Sequence, residues 1–157
     1  MKISWTSFKV SIAGAKLSHL VQKDKIWDHG SMIEQVKTIF FKVQRIKNSG
    51  NVEDIKKYVT DNCFEKLKKE LETLDKKRKT WMIKNPVIKE VSVIEVHAAK
   101  KEKPDSFTAL IKGKGIFFIT DKNSEQAVLE MAEHIHEFSE HWSFTRQGDW
   151  WLLDQVK

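Results

Sequence analysis

The first 27 residues carry two rows of side chains at helical spacing. An apolar row recurs every three or four positions, and lysines recur every seven positions. This pattern is typical of one amphipathic helix with a basic flank. Phe8, Val10 and Ile12 also alternate, and Gly14 interrupts the run, so an extended arm is the competing interpretation. The apolar row is Trp5, Phe8, Ile12, Ala15 and His19, and the basic row is Lys2, Lys9, Lys16 and Lys23.

The next part of the chain predicts three helices. The first is capped by Ser31 and ends near Gly50, which is typical of a helix C-cap. A short second helix follows Asn51, and a third starts after Thr60 or Asp61. Their apolar faces hold Ile33, Val36, Phe40, Val43 and Ile46 in the first, Val52, Ile55 and Val59 in the second, and Phe64, Leu67, Leu71 and Leu74 in the third.

After Pro86 the apolar positions alternate, which predicts β-strands. Gly113 and Gly115 suggest a bulge or bend where the sheet curves. Residues 125–133 fit either a helix or an excursion of the sheet, and we leave both open. The predicted strands are 87–99, 107–120, 134–146 and 150–156. Helices followed by an antiparallel meander make an α+β fold, with N-terminal helices packed on a curved antiparallel sheet.

Charge and cysteine content narrow the class of protein. The 157 residues fit one core, and the formal charge of +6 permits contact with nucleic acid or anionic lipid without selecting between them. A single cysteine, Cys63, excludes a disulfide framework, and residues 1–21 lack the apolar stretch of a secretory signal. No uncharged run reaches the ~18 residues of a spanning helix. We expect an intracellular protein, in the cytoplasm or peripheral on the inner face of a membrane.

A basic run closes the third predicted helix, where cations suit the negative end of the helix dipole. Nearby lysines alternate with Glu and Asp, so much of their charge is neutralised on a solvated helix face. The run itself has no acidic residue within it, and it is either an anion-binding site or a solvated helix end. Its members are Lys76, Lys77, Arg78 and Lys79.

Aromatic residues at alternate strand positions suggest the walls of an apolar pocket for an acyl chain or a similar ligand. The alternative is that they fill the core, which is the commoner position for such residues. The candidates for the pocket are Trp81, Phe117, Trp142, Phe144 and Trp151.

Titratable residues on the predicted strands are candidates for catalysis or metal binding. An enzyme that transfers protons in the apolar pocket of such a sheet needs a carboxylate or histidine inside that pocket. Glu95 and His97 on the first strand could serve, as could His136 or Glu140 on the third. No nucleophile motif, phosphate loop or spaced acid and base pair is present, so we expect no enzyme and no cofactor. His134 and His136 lack a definite third ligand, so we predict no metal site.

Four groups of residues, together with the order of the predicted elements, are similar to those of a known family, and the last group has the family's order and spacing. They are Phe40 and Gln44, then Tyr58, Val59 and Thr60, then Phe107, Thr108 and Ala109, and finally His141 to Arg146 with Gly148 and Trp151 to Asp154. The chain thereby resembles the C-terminal domain family of mitochondrial inner-membrane translocase subunit 44, the import-motor anchor, with its bacterial relatives. The resemblance covers about residues 28–157 and leaves residues 1–27 as an amphipathic N-terminal segment.

This resemblance implies a cone-shaped domain of the nuclear transport factor 2-like superfamily, with a sheet curled around an apolar pocket. It also implies peripheral attachment to an anionic, cardiolipin-rich membrane through N-terminal amphipathic helices, protein partners, and no catalysis. Steroid isomerases and dehydratases share the fold, so the fold alone does not decide function.

Three functions follow as hypotheses. The first is a non-enzymatic peripheral membrane-associated or protein-binding module with an apolar pocket. The alternatives are a small-molecule-binding or isomerase/dehydratase-like enzyme, and an RNA- or ribosome-associated protein, with nucleic acid the least favoured partner. For the first, the apolar row of the N-terminal helix either contacts an anionic membrane or packs on the protein's own core. Its predicted membrane-contact residues are Lys2, Trp5, Phe8, Lys9, Ile12 and Lys16.

Overall fold

A computed structural model describes residues 4–157, so Lys2 of the predicted membrane contact lies outside the described residues. Helices precede the main strands, and a short helical insertion separates the second strand from the third. The helices are α1 Trp5–Leu20, α2 His29–Ser49, α3 Asp61–Lys76 and α4 Glu125–Glu130. Short 3₁₀ turns span Lys25–Trp27, Val52–Tyr58 and Met131–His134. The strands are β1 Lys79–His97, β2 Ser106–Asp121, β3 Ile135–Gln147 and β4 Trp150–Val156.

Side chains at the helix ends satisfy backbone groups that the helix leaves unpaired. The Ser4 hydroxyl accepts a hydrogen bond from the Ser7 amide and caps α1. The helix predicted in the N-terminal segment is thus present over Trp5–Leu20, and residues 21–27, with Lys23 of the basic row, lie outside it. α2 begins at His29 and is capped by Asp28, so the predicted start at Ser31 is wrong. Its end at Gly50, in the left-handed conformation, is as predicted.

The four strands form one antiparallel sheet in the order β1-β2-β3-β4. β1 starts at Lys79, eight residues before the predicted start at Val87. The strand continues past Pro86 because β1 is an edge strand and its register shifts between Lys84 and Val87. Proline, which has no N–H to donate, is tolerated at such a bulge. Residues 125–133, whose sequence fits either a helix or an excursion of the sheet, form α4 and the 3₁₀ turn after it.

Two glycines of β2 stand opposite the bulged part of β1. A Cβ on Gly113 would overlap the Val87 carbonyl oxygen and would lie 2.7 Å from Cζ of Phe138. A Cβ on Gly115 would lie 2.8 Å from Cε2 of Phe117. Because glycine has no side chain, the bulged backbone of β1 and the nearby aromatic rings can both pack against these two positions. This agrees with the irregularity predicted at this point of the sheet.

One apolar core joins the helices to the concave face of the sheet. Phe40 of α2 packs on Phe138 and Trp142 of β3, with ring centroids 5.5 and 5.3 Å apart. α1 belongs to the same core through buried Ala13 and Leu17. The N-terminal segment is therefore packed on the domain that follows it.

The sequence groups that carried the family resemblance meet in space. Val59 forms a bridge to Leu153, and the Thr60 amide donates to the Leu153 carbonyl at 2.9 Å. The Thr60 hydroxyl donates to Asp154 at 2.8 Å and also caps α3. These contacts fix α3 against the last strand, and so they position one wall of the cavity described below.

Candidate functional sites

α1 leaves its predicted apolar row in solvent. Trp5, Phe8 and Ile12 are 70%, 48% and 44% exposed, while the helix packs on the sheet through Ala13 and Leu17. The Trp5 and Phe8 rings stack on each other with centroids 5.5 Å apart. The alternative in which this row packs on the protein's own core is therefore wrong. We call Trp5, Phe8 and Ile12 the α1 stripe.

Two lysines of the predicted membrane contact, Lys9 and Lys16, contact β1, the edge strand of the sheet. Nζ of Lys9 lies 3.1 Å from Oε1 of Glu95, and Nζ of Lys16 lies 3.4 Å from the Val96 carbonyl oxygen. The hydrogen bond from Lys9 is the main cause that lowers the pKa of Glu95. A partly exposed ion pair contributes only about 0–1 kcal/mol. Lys9 can therefore exchange Glu95 for another anion at small cost.

A cavity of about 430 Å³ lies between α2, α3 and the concave face of the sheet. Of the five predicted pocket aromatics, Trp81, Phe117 and Trp142 line this cavity. Phe144 and Trp151 do not line it, because both are fully buried in the core against Phe107. Three of the five predicted aromatics therefore line a pocket, and the other two fill the core.

Charged and polar side chains share the cavity wall with these aromatics. His136 and Glu140 line it from β3, whereas Glu95 and His97 lie on β1 outside it. The sequence interpretation missed the contributions of α2 and α3, because helical spacing alone does not show which flank of a helix faces a cavity. The additional polar residues are Gln44 and Lys47 of α2, Lys66 and Glu70 of α3, and Asp154 and Gln155 of β4.

Two side chains of the cavity wall have distinctive chemistry. Burial raises the pKa of the Cys63 thiol to about 11, so the thiol is protonated and a poor nucleophile near neutral pH. The Trp142 indole N–H is buried and has no hydrogen-bond partner among the described residues. Glu70, in contrast, accepts a hydrogen bond from the Trp81 indole at 3.0 Å. The cavity is amphiphilic, with an apolar aromatic wall and a charged rim.

The predicted anion-binding run is spread over a helix end, a turn and a strand. Lys79 pairs with Asp121 at 2.8 Å, and the neighbouring Lys122 pairs with Asp75. The sequence places no acidic residue within the run, but the fold places a carboxylate of β2 beside Lys79. Anion binding by Lys76, Lys77 and Arg78 stays a prediction.

His134 ends the 3₁₀ turn before β3, whereas the sequence predicts it as the first residue of the strand, and His136 lies within β3. The His134 ring stacks on Phe118 with centroids 4.1 Å apart, and the His134 and His136 centroids are 6.0 Å apart. Within residues 4–157 no group of three or more His, Cys, Asp or Glu side chains has a geometry suited to a metal ion.

No helix in the described part of the chain is both long and apolar enough to cross a membrane. The fold is similar to that of the intermembrane space region of the chloroplast protein ARC6. The TM-score is 0.50 at 9% identity, covering 79% of this chain and 93% of that chain. At this identity the likeness concerns the fold alone.

Protein TraH from the Gram-positive conjugative plasmid pIP501 aligns with a TM-score of 0.45 at 9% identity, covering 79% of this chain and 91% of that chain. No curated protein sequence matches this chain. The family model described as the Tim44-like domain matches residues 13–157, starting within α1 and so earlier than the predicted residue 28. The family predicted from the sequence is confirmed, and the chain belongs to the Tim44-like domain family.

Proposed function

We propose that this domain is a non-enzymatic module that attaches to an anionic membrane surface through α1. Membership of the Tim44-like domain family supports a membrane-associated or protein-interacting role. The observation that carries the proposal is the α1 stripe. Trp5, the most exposed of the three, is 70% exposed on a helix that packs through a different face.

The size of the stripe suits reversible attachment. A fully buried large apolar side chain contributes about 1.5–3 kcal/mol, so the exposed fractions of Trp5, Phe8 and Ile12 together contribute about 2–5 kcal/mol. Each lysine near an anionic surface adds about 1 kcal/mol. Lys9 and Lys16 flank the stripe and are held only by one partly exposed ion pair and one long hydrogen bond. The sum supports an interfacial helix that binds and releases.

Vesicle flotation tests this proposal. We expect the protein to float with phosphatidylcholine vesicles that contain cardiolipin and to stay in solution with phosphatidylcholine alone. Trp5→Ser/Phe8→Ser should lower the bound fraction at least tenfold, because most of the apolar contact is lost. Val128→Ser/Leu129→Ser is the matched control, since these residues are 61% and 76% exposed on α4, away from α1.

Equal recovery in solution with both kinds of vesicle would refute membrane attachment. The α1 stripe would then be a binding surface for a protein partner, because an apolar helix face can also bind in a groove of another protein. Equal loss of flotation in the stripe variant and the α4 variant would show that general surface hydrophobicity, and not α1, accounts for binding.

A second candidate function is the binding of a small apolar ligand in the cavity between α2, α3 and the sheet. Its volume of about 430 Å³ and its aromatic wall are typical of ligand sites. His136 and Glu140 on the same wall are the groups that the isomerase-like or dehydratase-like alternative would use. Titration with an environment-sensitive apolar dye tests this function. Cys63→Phe should fill the cavity and abolish dye binding, with circular dichroism confirming that the variant is folded.

A further inference from the structure

A second concave site lies between the C-terminal half of α1 and the connection from β1 to β2. Its open volume is about 650 Å³. Five side chains of its wall carry nitrogen donors, two from α1, one from the end of β1 and two from the connection. They are Lys16, His19, His97, Lys100 and Lys103, and we call this site the basic cleft.

Among residues 4–157, no carboxylate side chain lines the basic cleft. Asp105, beside it in sequence, is engaged elsewhere, since it accepts hydrogen bonds from Arg146 at 2.9 Å and from the Ala99 amide at 2.6 Å. Glu95 pairs with Lys9 at 3.1 Å and lies 3.6 Å from Nε2 of His97. Three lysines therefore line the cleft with no acidic side chain beside them in its described wall, which favours an anion as the occupant.

The connection that carries two of these lysines has a defined shape. The Lys100 amide donates to the Lys103 carbonyl at 3.1 Å, and the Lys103 amide donates back to the Lys100 carbonyl at 2.8 Å. The Asp105 carboxylate holds the Ala99 amide just before this pair of bonds. The lysine side chains thus project from a closed turn, which reduces the ordering cost of binding.

The basic cleft and the α1 stripe lie on the same helix. His19 is seven residues beyond Ile12, which corresponds to about 10 Å along a helix. An interfacial helix buries its apolar face about 5–10 Å into the boundary between headgroups and acyl chains. Because such a helix lies in the plane of the membrane surface, the α1 stripe and the cleft on the same helix both come to the level of the headgroups.

We propose that the basic cleft binds the phosphate of an anionic lipid headgroup, a step that rests on the membrane attachment proposed above. A free phosphate offers the same chemistry. The lipid is the occupant we infer because the adjacent stripe needs an apolar partner, which a lipid supplies together with its phosphate. This site differs from the predicted run at Lys76 to Lys79, which lies at the end of α3.

A charge-matched pair of variants tests the proposal. Lys103→Gln removes a cleft lysine, whereas Lys101→Gln removes a lysine of the same turn that does not line the cleft. Binding is measured with phosphatidylcholine vesicles carrying equal mole fractions of either phosphatidylglycerol or the phosphate-free anionic lipid cholesteryl hemisuccinate. We expect Lys103→Gln to weaken binding to phosphatidylglycerol vesicles about fivefold, the effect of one lysine near an anionic surface. We expect Lys101→Gln to weaken it less than twofold.

Amide chemical shifts identify the source of the phosphate. Soluble dihexanoyl phosphatidylglycerol should shift the Ala98, Ala99 and Lys100 amides at concentrations where inorganic phosphate does not. Equal shifts with inorganic phosphate would mean that the cleft is a site for free phosphate, and this would overturn the lipid proposal. Equal losses for the two lysine variants, or equal binding to both anionic vesicles, would also overturn it.

The two proposals fail in different ways. If stripe-dependent flotation persists while the cleft amides do not respond to lipid, the cleft proposal is wrong and membrane attachment stands. If wild-type protein binds neither anionic vesicle, attachment itself is wrong. Tight, salt-dependent binding of RNA that Lys103→Gln weakens, without binding to vesicles, would assign the cleft to nucleic acid and refute the lipid headgroup.

Discussion

Gly113→Ala tests how the sheet acquires the shape that forms the cavity. The added methyl group would overlap the Val87 carbonyl oxygen and lie 2.7 Å from Cζ of Phe138. The Phe138 ring stacks on Phe40 in the core, so neither neighbour can yield without shifting the bulge or the core. Overpacking of this kind costs about 1–3 kcal/mol. For a chain of this length the melting temperature should fall by about 2–12 °C.

Urea denaturation followed by circular dichroism measures this change. Gly14→Ala is the control, because nothing lies within 4 Å of the added methyl group in the middle of α1. Alanine favours a helix over glycine by about 0.8–1 kcal/mol, so the control should be more stable than the wild type. An unchanged midpoint for Gly113→Ala would refute the close approach of β1 and β2 at Val87.

Two further predictions concern titratable groups. Burial raises the pKa of the Cys63 thiol to about 11. Alkylation of Cys63 by iodoacetamide at pH 8 should therefore be at least tenfold slower in the folded protein than in the urea-unfolded chain. Equal rates in the two states would contradict the burial of Cys63. Lys9→Met should raise the pKa of Glu95 towards its ordinary value, as read by NMR titration, because Lys9 is the main cause of its lowering. The pKa of Glu95 is lower in the folded than in the unfolded chain, so the stability that the Lys9–Glu95 pair contributes is fully present above the unfolded-state pKa. It disappears as the pH falls through the folded-state pKa, and it should be at most about 1 kcal/mol.

Periodicity and capping chemistry were enough to predict most of the elements. Gly50 was predicted correctly as the end of α2, and Thr60 is one of the two caps predicted for α3, because a glycine after a helix and a hydroxyl before one satisfy local backbone groups. The start of β1 was missed because Pro86 usually ends an element, and only pairing with β2 shows that a bulge accommodates it. Local rules thus suffice where the interaction is local.

The functional surfaces depend on contacts between distant parts of the chain, so the sequence predicted them less completely. The α1 stripe was identified by spacing, but only the packing of Leu17 shows that a different face meets the core. Phe144 alternates with Trp142 like a second pocket residue, yet Phe107 covers it. Lys16 and Lys103 are far apart in sequence, and the fold alone brings them to one cleft.

The depth of α1 in a bilayer shows whether this helix attaches the domain to a membrane. A spin label at Phe8→Cys in a Cys63→Ala background, with Leu129→Cys as the control site, reports contact with lipid or water by its collision rates with oxygen and with a polar nickel reagent. We expect the label at residue 8 to lie about 5–10 Å below the headgroups of cardiolipin-containing vesicles, while the label at residue 129 stays in water. A label at residue 8 that remains fully accessible to the nickel reagent on bound protein would contradict this expectation.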